Sequence, residues 1–186
     1  MRKNWIRLLS YLLAGAMLLG LTACGRKRKT KEGEGVFMGV DVAKSQGTID
    51  WQALAGAGTK FAMVRLGYRT AGEGTIVEDS NARYNLQEGS KAGIPMGGYF
   101  FSTATTKEEA EEEARWAADL VAKYSITYPI VYDCEGFDDP DSRQRSMTKE
   151  ERTDVALAFL KKIEKLGYTG MFYASKSELE DRWETE

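Results

Sequence analysis

The chain of 186 residues contains no histidine. That absence removes the usual base of a serine or cysteine triad and most zinc sites. Only two cysteines, Cys24 and Cys134, are present, too few for a disulfide framework, and their settings do not suggest a pair. Charge of either sign is also scarce as a net quantity: 26 Lys and Arg stand against 28 Asp and Glu, leaving −2. Apart from one short N-terminal run, the basic residues form no stripe of the kind that nucleic acid requires, so no nucleic-acid partner is expected.

The ends of the chain read separately from its middle. Arg2, Lys3 and Arg7 precede an apolar run over residues 8–23, shorter than the about 20 residues that cross a bilayer comfortably. Residues 1–23 therefore read as a signal peptide. Leu21-Thr22-Ala23-Cys24 resembles a bacterial lipobox, in which the cysteine is lipidated and becomes the mature N-terminus. Residues 24–35, with Arg26-Lys27-Arg28-Lys29 and a Gly-rich charged stretch, are expected to be a flexible tether beside anionic headgroups. Cys134 is left as a lone thiol behind a buried strand, where packing is its expected role. Together these features place the chain in the cell envelope, outside the cytoplasm and anchored to the membrane by lipid.

From residue 36 onward apolar strands alternate with amphipathic helices, the pattern of an α/β domain with a parallel sheet. Strands are predicted over residues 36–41, 61–66, 95–101, 130–134 and 170–174. Thr106-Lys107-Glu108-Glu109 and Thr148-Lys149-Glu150-Glu151 read as capping boxes. The first opens a helix whose buried face carries Ala110, Ala114, Ala117, Leu120, Val121 and Tyr124. The second carries Val155, Phe159, Ile163 and Leu166 before Gly167. The run from Glu108 to Glu113 is expected to be a solvated helix start favoured by the macrodipole. Asp138, Asp139 and Asp141, around an Asp-Pro turn, read as a loop and not as a calcium site.

The segment Pro129-Ile130-Val131-Tyr132-Asp133-Cys134-Glu135-Gly136 carries the most chemistry. Side chains alternate along a strand rising roughly 3.3 Å per residue, so Asp133 and Glu135 share one face with Val131, their Cβ atoms about 6.6 Å apart. Burial and crowding push the pKa values of such a pair apart, which suits acid/base work on a glycosidic bond. An isolated Asp-x-Glu is more often a solvated strand end, and context must carry the inference.

That context is a resemblance. Gly39-Val40-Asp41-Val42-Ala43-Lys44-Ser45-Gln46-Gly47-Thr48-Ile49-Asp50-Trp51 looks like the N-terminal signature of glycoside hydrolase family 25 lysozymes. Phe61 to Arg69, Gly97 to Ser102, the Asp-x-Glu strand and Gly170-Met171-Phe172-Tyr173 resemble further family strands, in order. The resemblance covers residues 36–186. It implies an irregular TIM-like (β/α) barrel with its active site at the C-terminal ends of the strands. It also implies peptidoglycan as substrate, cut between N-acetylmuramic acid and N-acetylglucosamine by a monomer, with no cofactor or metal.

On this reading Glu135 is the general acid and then the base. Asp133 orients the substrate's 2-acetamido group, and Asp41 holds a nearby charge or hydroxyl. Arg65 either contacts substrate or pairs with these carboxylates. Tyr99, Phe101 and Tyr173 offer flat faces to sugar rings, or are barrel core. Two other readings stay open. One is a wall-binding module that keeps the groove without turnover; the other is a metal-dependent hydrolase with Asp41, Asp133 and Glu135 as ligands. A helix predicted from Ser177 runs to Glu186, and about 150 residues fall short of the ~200 or more of a closed barrel. The barrel's last strands are therefore expected to be missing, from a fragment or from a truncated domain.

Overall fold

The computed structural model describes residues 37–185. The expected signal peptide, tether and Cys24 lie outside the described residues. The order of elements is β1 (Gly39–Val42), a short 3-10 turn, α1 (Trp51–Gly56), β2 (Phe61–Arg69), β3 (Ile76–Glu78), α2 (Ala82–Lys91), β4 (Met96–Phe101), α3 (Lys107–Val121), β5 (Ile126–Asp133), α4 (Lys149–Lys165), β6 (Gly170–Tyr173) and α5 (Lys176–Arg182).

Five strands run parallel in the order β1-β2-β4-β5-β6. β3 pairs antiparallel with the upper half of β2, through Gly67 to Arg69, above the stretch that β1 occupies. Among the described residues β1 and β6 do not pair, so the sheet is open. This is the strand order of a (β/α) barrel that has not closed. β3 and α2 left no readable signal: three residues are too short for alternation, and α2 carries few apolar side chains.

Helices cover one face of the sheet. Ala62, Val64 and Leu66 from β2, Met96 and Phe100 from β4, and Ile130 and Tyr132 from β5 are buried on that side. They meet Ala110, Ala114, Ala117 and Val121 of α3, and Val155, Phe159 and Ile163 of α4. The Tyr132 and Phe159 rings lie 5.2 Å apart, and Phe100 meets Trp116 edge-on at 5.7 Å. Leu166 is the exception on its predicted face, being exposed where the helix ends. Gly167 follows in the left-handed region (φ +89°) and returns its amide to the Glu164 carbonyl, the usual means of stopping a helix.

Capping was predicted well once and nearly so once. At α4, Thr148 and Glu151 exchange side-chain hydrogen bonds with each other's backbone amides. At α3, Thr106 accepts from the Glu109 amide, but the Glu109 carboxylate reaches one residue further back, to the amide and hydroxyl of Thr105.

The acidic run on α3 is a solvated face only in part: Glu108 and Glu112 are exposed as expected, but Glu109 and Glu113 turn inward. Glu113 is fully buried and receives Arg69 Nε at 2.6 Å and the Ser102 hydroxyl at 2.7 Å. Arg69 also binds Glu112 at 2.7 Å and the Gly74 and Glu109 carbonyls. Arg143 bridges Glu109 and the Thr103 carbonyl. Three glutamates that read as solvent-facing thus tie the tops of β2 and β4 to α3. The sequence gives no sign of this, because Arg69 is 44 residues from Glu113.

The last helix is also shorter than expected. It starts at Lys176 and ends at Arg182, where Trp183 takes an extended conformation. Its indole turns inward, edge-on to Phe172 at 4.7 Å and to Phe137 at 5.6 Å. Burying so large an apolar ring outweighs the loss of another helical turn.

Candidate active site

The other face of the sheet carries the chemistry. Alternation along five parallel strands sends every second side chain to it. The strand register then lines these residues into rows: Asp41 beside Met63; Arg65, Tyr99, Val131 and Met171 in succession; and Phe101, Asp133 and Tyr173 above them. With Glu135 they surround one cleft of about 430 Å³. All seven candidate residues, Glu135, Asp133, Asp41, Arg65, Tyr99, Phe101 and Tyr173, line this cleft. Met63 and Met171, which the sequence did not single out, form part of its wall. A Cβ at Gly97 would lie 2.7 Å from the Met63 sulfur, so glycine there lets the methionine lie across the sheet.

Asp133 ends β5, and Glu135 lies just beyond it, in the loop. Asp133 is only 8% exposed and its Oδ1 has no partner among the described residues. Burial, first, and then the neighbouring charges of Glu135, Asp41 and Glu178 push its pKa up to about 8. Glu135 lies within hydrogen-bonding reach of it. At neutral pH Asp133 therefore keeps its proton beside Glu135.

Gly136 follows in the left-handed region (φ +80°), which turns the chain sharply after Glu135 at little steric cost. Its amide donates to Glu178 Oε1 at 3.2 Å. Tyr99 donates its hydroxyl to Asp41 Oδ1 at 3.3 Å. Burial and then the Asp41 charge hold the phenol well above its ordinary pKa, so it remains a donor. Tyr173 is 47% exposed, a free aromatic face on the rim.

Arg65 corrects one expectation. Its ion pair is not with Asp41, Asp133 or Glu135 but with Asp79, whose Oδ2 receives Arg65 Nη2 at 2.7 Å and Nε at 2.8 Å. Asp79 is fully paired, accepting also from the amides of Lys44 and Asn81. The guanidinium stays on the cleft wall with its charge already answered, and among the described residues no cation forms an ion pair with Asp133 or Glu135. Nothing in the sequence marks Asp79, which follows the short β3.

Cys134 points to the helix side as expected, its thiol 2.8 Å from Gln144 Oε1, and burial pushes that thiol up. Asp138 pairs with Arg182 at 2.6 Å, and Asp139 accepts from the Asp141 amide, so the acidic loop is held by turn geometry and one ion pair. Among the described residues no three His, Cys, Asp or Glu side chains are grouped as metal ligands would be.

The sequence pattern of the glycosyl hydrolases family 25 matches residues 40–185. Lysozyme M1 of Streptomyces globisporus is 32% identical over 104 residues, 52% of this chain and 32% of that protein. The modular autolysin LytC of Streptococcus pneumoniae, solved with a synthetic peptidoglycan ligand, superposes with a TM-score of 0.65 at 25% identity. That match covers 77% of this chain and 33% of the autolysin. A family 25 glycosyl hydrolase from Bacillus anthracis gives 0.61 at 22% identity, over 81% of this chain and 65% of that one. The chain thus spans about a third of the length of the lysozyme and of the autolysin.

Proposed function

The chain belongs to glycosyl hydrolase family 25, and on that premise we propose that it cleaves peptidoglycan between N-acetylmuramic acid and N-acetylglucosamine. The observation that carries this reading is the Asp133–Glu135 pair, a buried carboxyl that keeps its proton and a more accessible one beside it, at the C-terminal end of β5 in an aromatic-walled cleft.

The chemistry balances on that single proton. Glu135, the more accessible partner, delivers it to the leaving glycosidic oxygen as the carbonyl oxygen of the substrate's own acetamido group bonds to the anomeric carbon. Such substrate assistance needs no protein nucleophile. Both carboxyls are then ionised, and the Asp133 carboxylate faces the cationic ring that has formed. Water next attacks the anomeric carbon, the ring opens back to the acetamido group, and Glu135 takes up the proton. Tyr99 holds Asp41 in place, while Tyr173 and Phe101 offer faces to the sugar rings.

Product analysis tests the reaction. Digestion of purified walls by the full chain, followed by borohydride reduction, is expected to convert muramic acid ends to muramitol. Reduced glucosamine ends, or no new ends at all, would overturn the reading. Walls that sediment the protein without gaining ends would support the binding-module alternative.

The proposal extends to location. Leu21-Thr22-Ala23-Cys24 supports a lipid on Cys24 that would hold the domain on the outer face of a bacterial membrane, beside its polymer. A radiolabelled fatty acid is expected to tag the unaltered chain and not Cys24→Ala. Label retained by that variant would remove the anchor from the proposal.

A further inference from the structure

One half-buried carboxylate beside the acid pair has no part in the chemistry above. Glu178, in the first turn of α5, is bonded on both oxygens. Oε1 accepts the Gly136 amide at 3.2 Å, and Oε2 accepts the Ser175 hydroxyl at 3.0 Å. Ser175 in turn accepts from the Glu178 amide at 3.2 Å, so the side chain is fixed at its own helix start. A second contact ties the same helix to the same loop, since Arg182 binds Asp138 at 2.6 Å. Behind it Trp183 packs edge-on against Phe137. The loop that presents Glu135 is therefore fastened to α5, 42 residues later in the chain.

We propose that Glu178 is a positioning residue of the Asp133–Glu135 pair, holding the turn after Glu135 by its backbone amide and setting a fixed negative charge beside Asp133. The inference deepens the glycosidase reading and rests on it. The groups facing Asp133 are Asp41 on β1, Glu135 in the loop, Glu178 on α5, and the phenols of Tyr99 and Tyr173 on β4 and β6. The guanidinium on the cleft wall, that of Arg65 on β2, is engaged by Asp79. The Glu178 charge is among those that raise the Asp133 carboxyl. α5 thus helps the buried acid keep its proton at neutral pH without touching substrate.

Two variants separate the charge from the clamp. Glu178→Gln keeps an acceptor for Gly136 but removes the charge. The Asp133 titration midpoint, followed by carbon-13 NMR on the full chain and assigned by its loss in Asp133→Asn, is expected to fall by about half a pH unit or more. The alkaline limb of kcat/KM on walls should fall with it. Glu178→Asp keeps the charge but shortens the reach. Its midpoint should stay near that of the unaltered chain, while kcat drops about tenfold as the Glu135 turn loosens. An unmoved Asp133 midpoint in folded Glu178→Gln overturns the inference, whatever the wall assay shows. A moved midpoint in a chain that cuts no walls supports the coupling and overturns the glycosidase reading instead.

Discussion

Glu135→Gln is expected to lower peptidoglycan cleavage by about 10²–10⁴-fold, the usual cost of losing general acid/base help, while the fold stays intact. Glutamine preserves the shape of the side chain but has no proton to deliver to the leaving oxygen. Glu135 stands beyond the last paired residue of β5, so its replacement disturbs no strand pairing. Walls and a thermal melt are the two measurements, and near-normal turnover by a normally melting variant would refute the assignment. Asp133→Asn should also lose activity, but its stability should behave differently. The folded chain keeps a proton on Asp133 up to about pH 8, against an ordinary value of 3.8. The unfolded chain releases that proton near its ordinary value, so the unaltered protein loses stability as pH rises from about 4 to about 8. Asparagine has nothing to release. Its stability advantage should therefore grow across that window, reaching on the order of 1–3 kcal/mol at pH 8. An equal gap at pH 5 and pH 8 in urea melts would contradict the retention of a proton on Asp133.

Arg69→Leu is expected to cost about 3–5 kcal/mol, because it leaves the buried Glu113 carboxylate without its cation. Arg69 is the hub on which Glu113, Glu112 and the carbonyls of Gly74 and Glu109 converge. Burial already pushes Glu113 up to about 7, with Ser102 and Arg69 pulling the other way. Without the guanidinium the folded state would hold the Glu113 proton more tightly still. The loss of stability should therefore be smaller near pH 5, where the carboxyl can be neutral, and larger near pH 8. Glu113→Leu combined with Arg69→Leu should recover part of the loss, since an apolar pair leaves no buried charge unanswered. Denaturant melts of the single and double variants at both pH values measure this. A single variant within about 1 kcal/mol of the unaltered chain would mean that the cluster is solvated in solution.

Most of what is periodic was legible in the sequence. Asp41, Tyr99, Phe101, Asp133, Glu135 and Tyr173 could be placed on one face because strand alternation is a local rule, and parallel order lined those faces up. The buried faces of α3 and α4 and the cap at Thr148 followed from the same kind of short-range pattern. What the sequence could not show is whom a charged side chain meets across tens of residues. Whether Arg65 answers Asp79 or the acid pair, and whether Glu113 faces water or Arg69, depend on which strands and helices are brought side by side. The bend at Trp183 and the grip of Glu178 on Gly136 have the same origin: burial of a ring against Phe172 and Phe137 orients α5. The identities of the acids were thus set by the chain, but their protonation was not. A carboxyl at a strand end titrates ordinarily in water. Only the packing of neighbouring strands and of the loop after β5 around Asp133 removes that water and leaves three neighbouring charges to hold its proton.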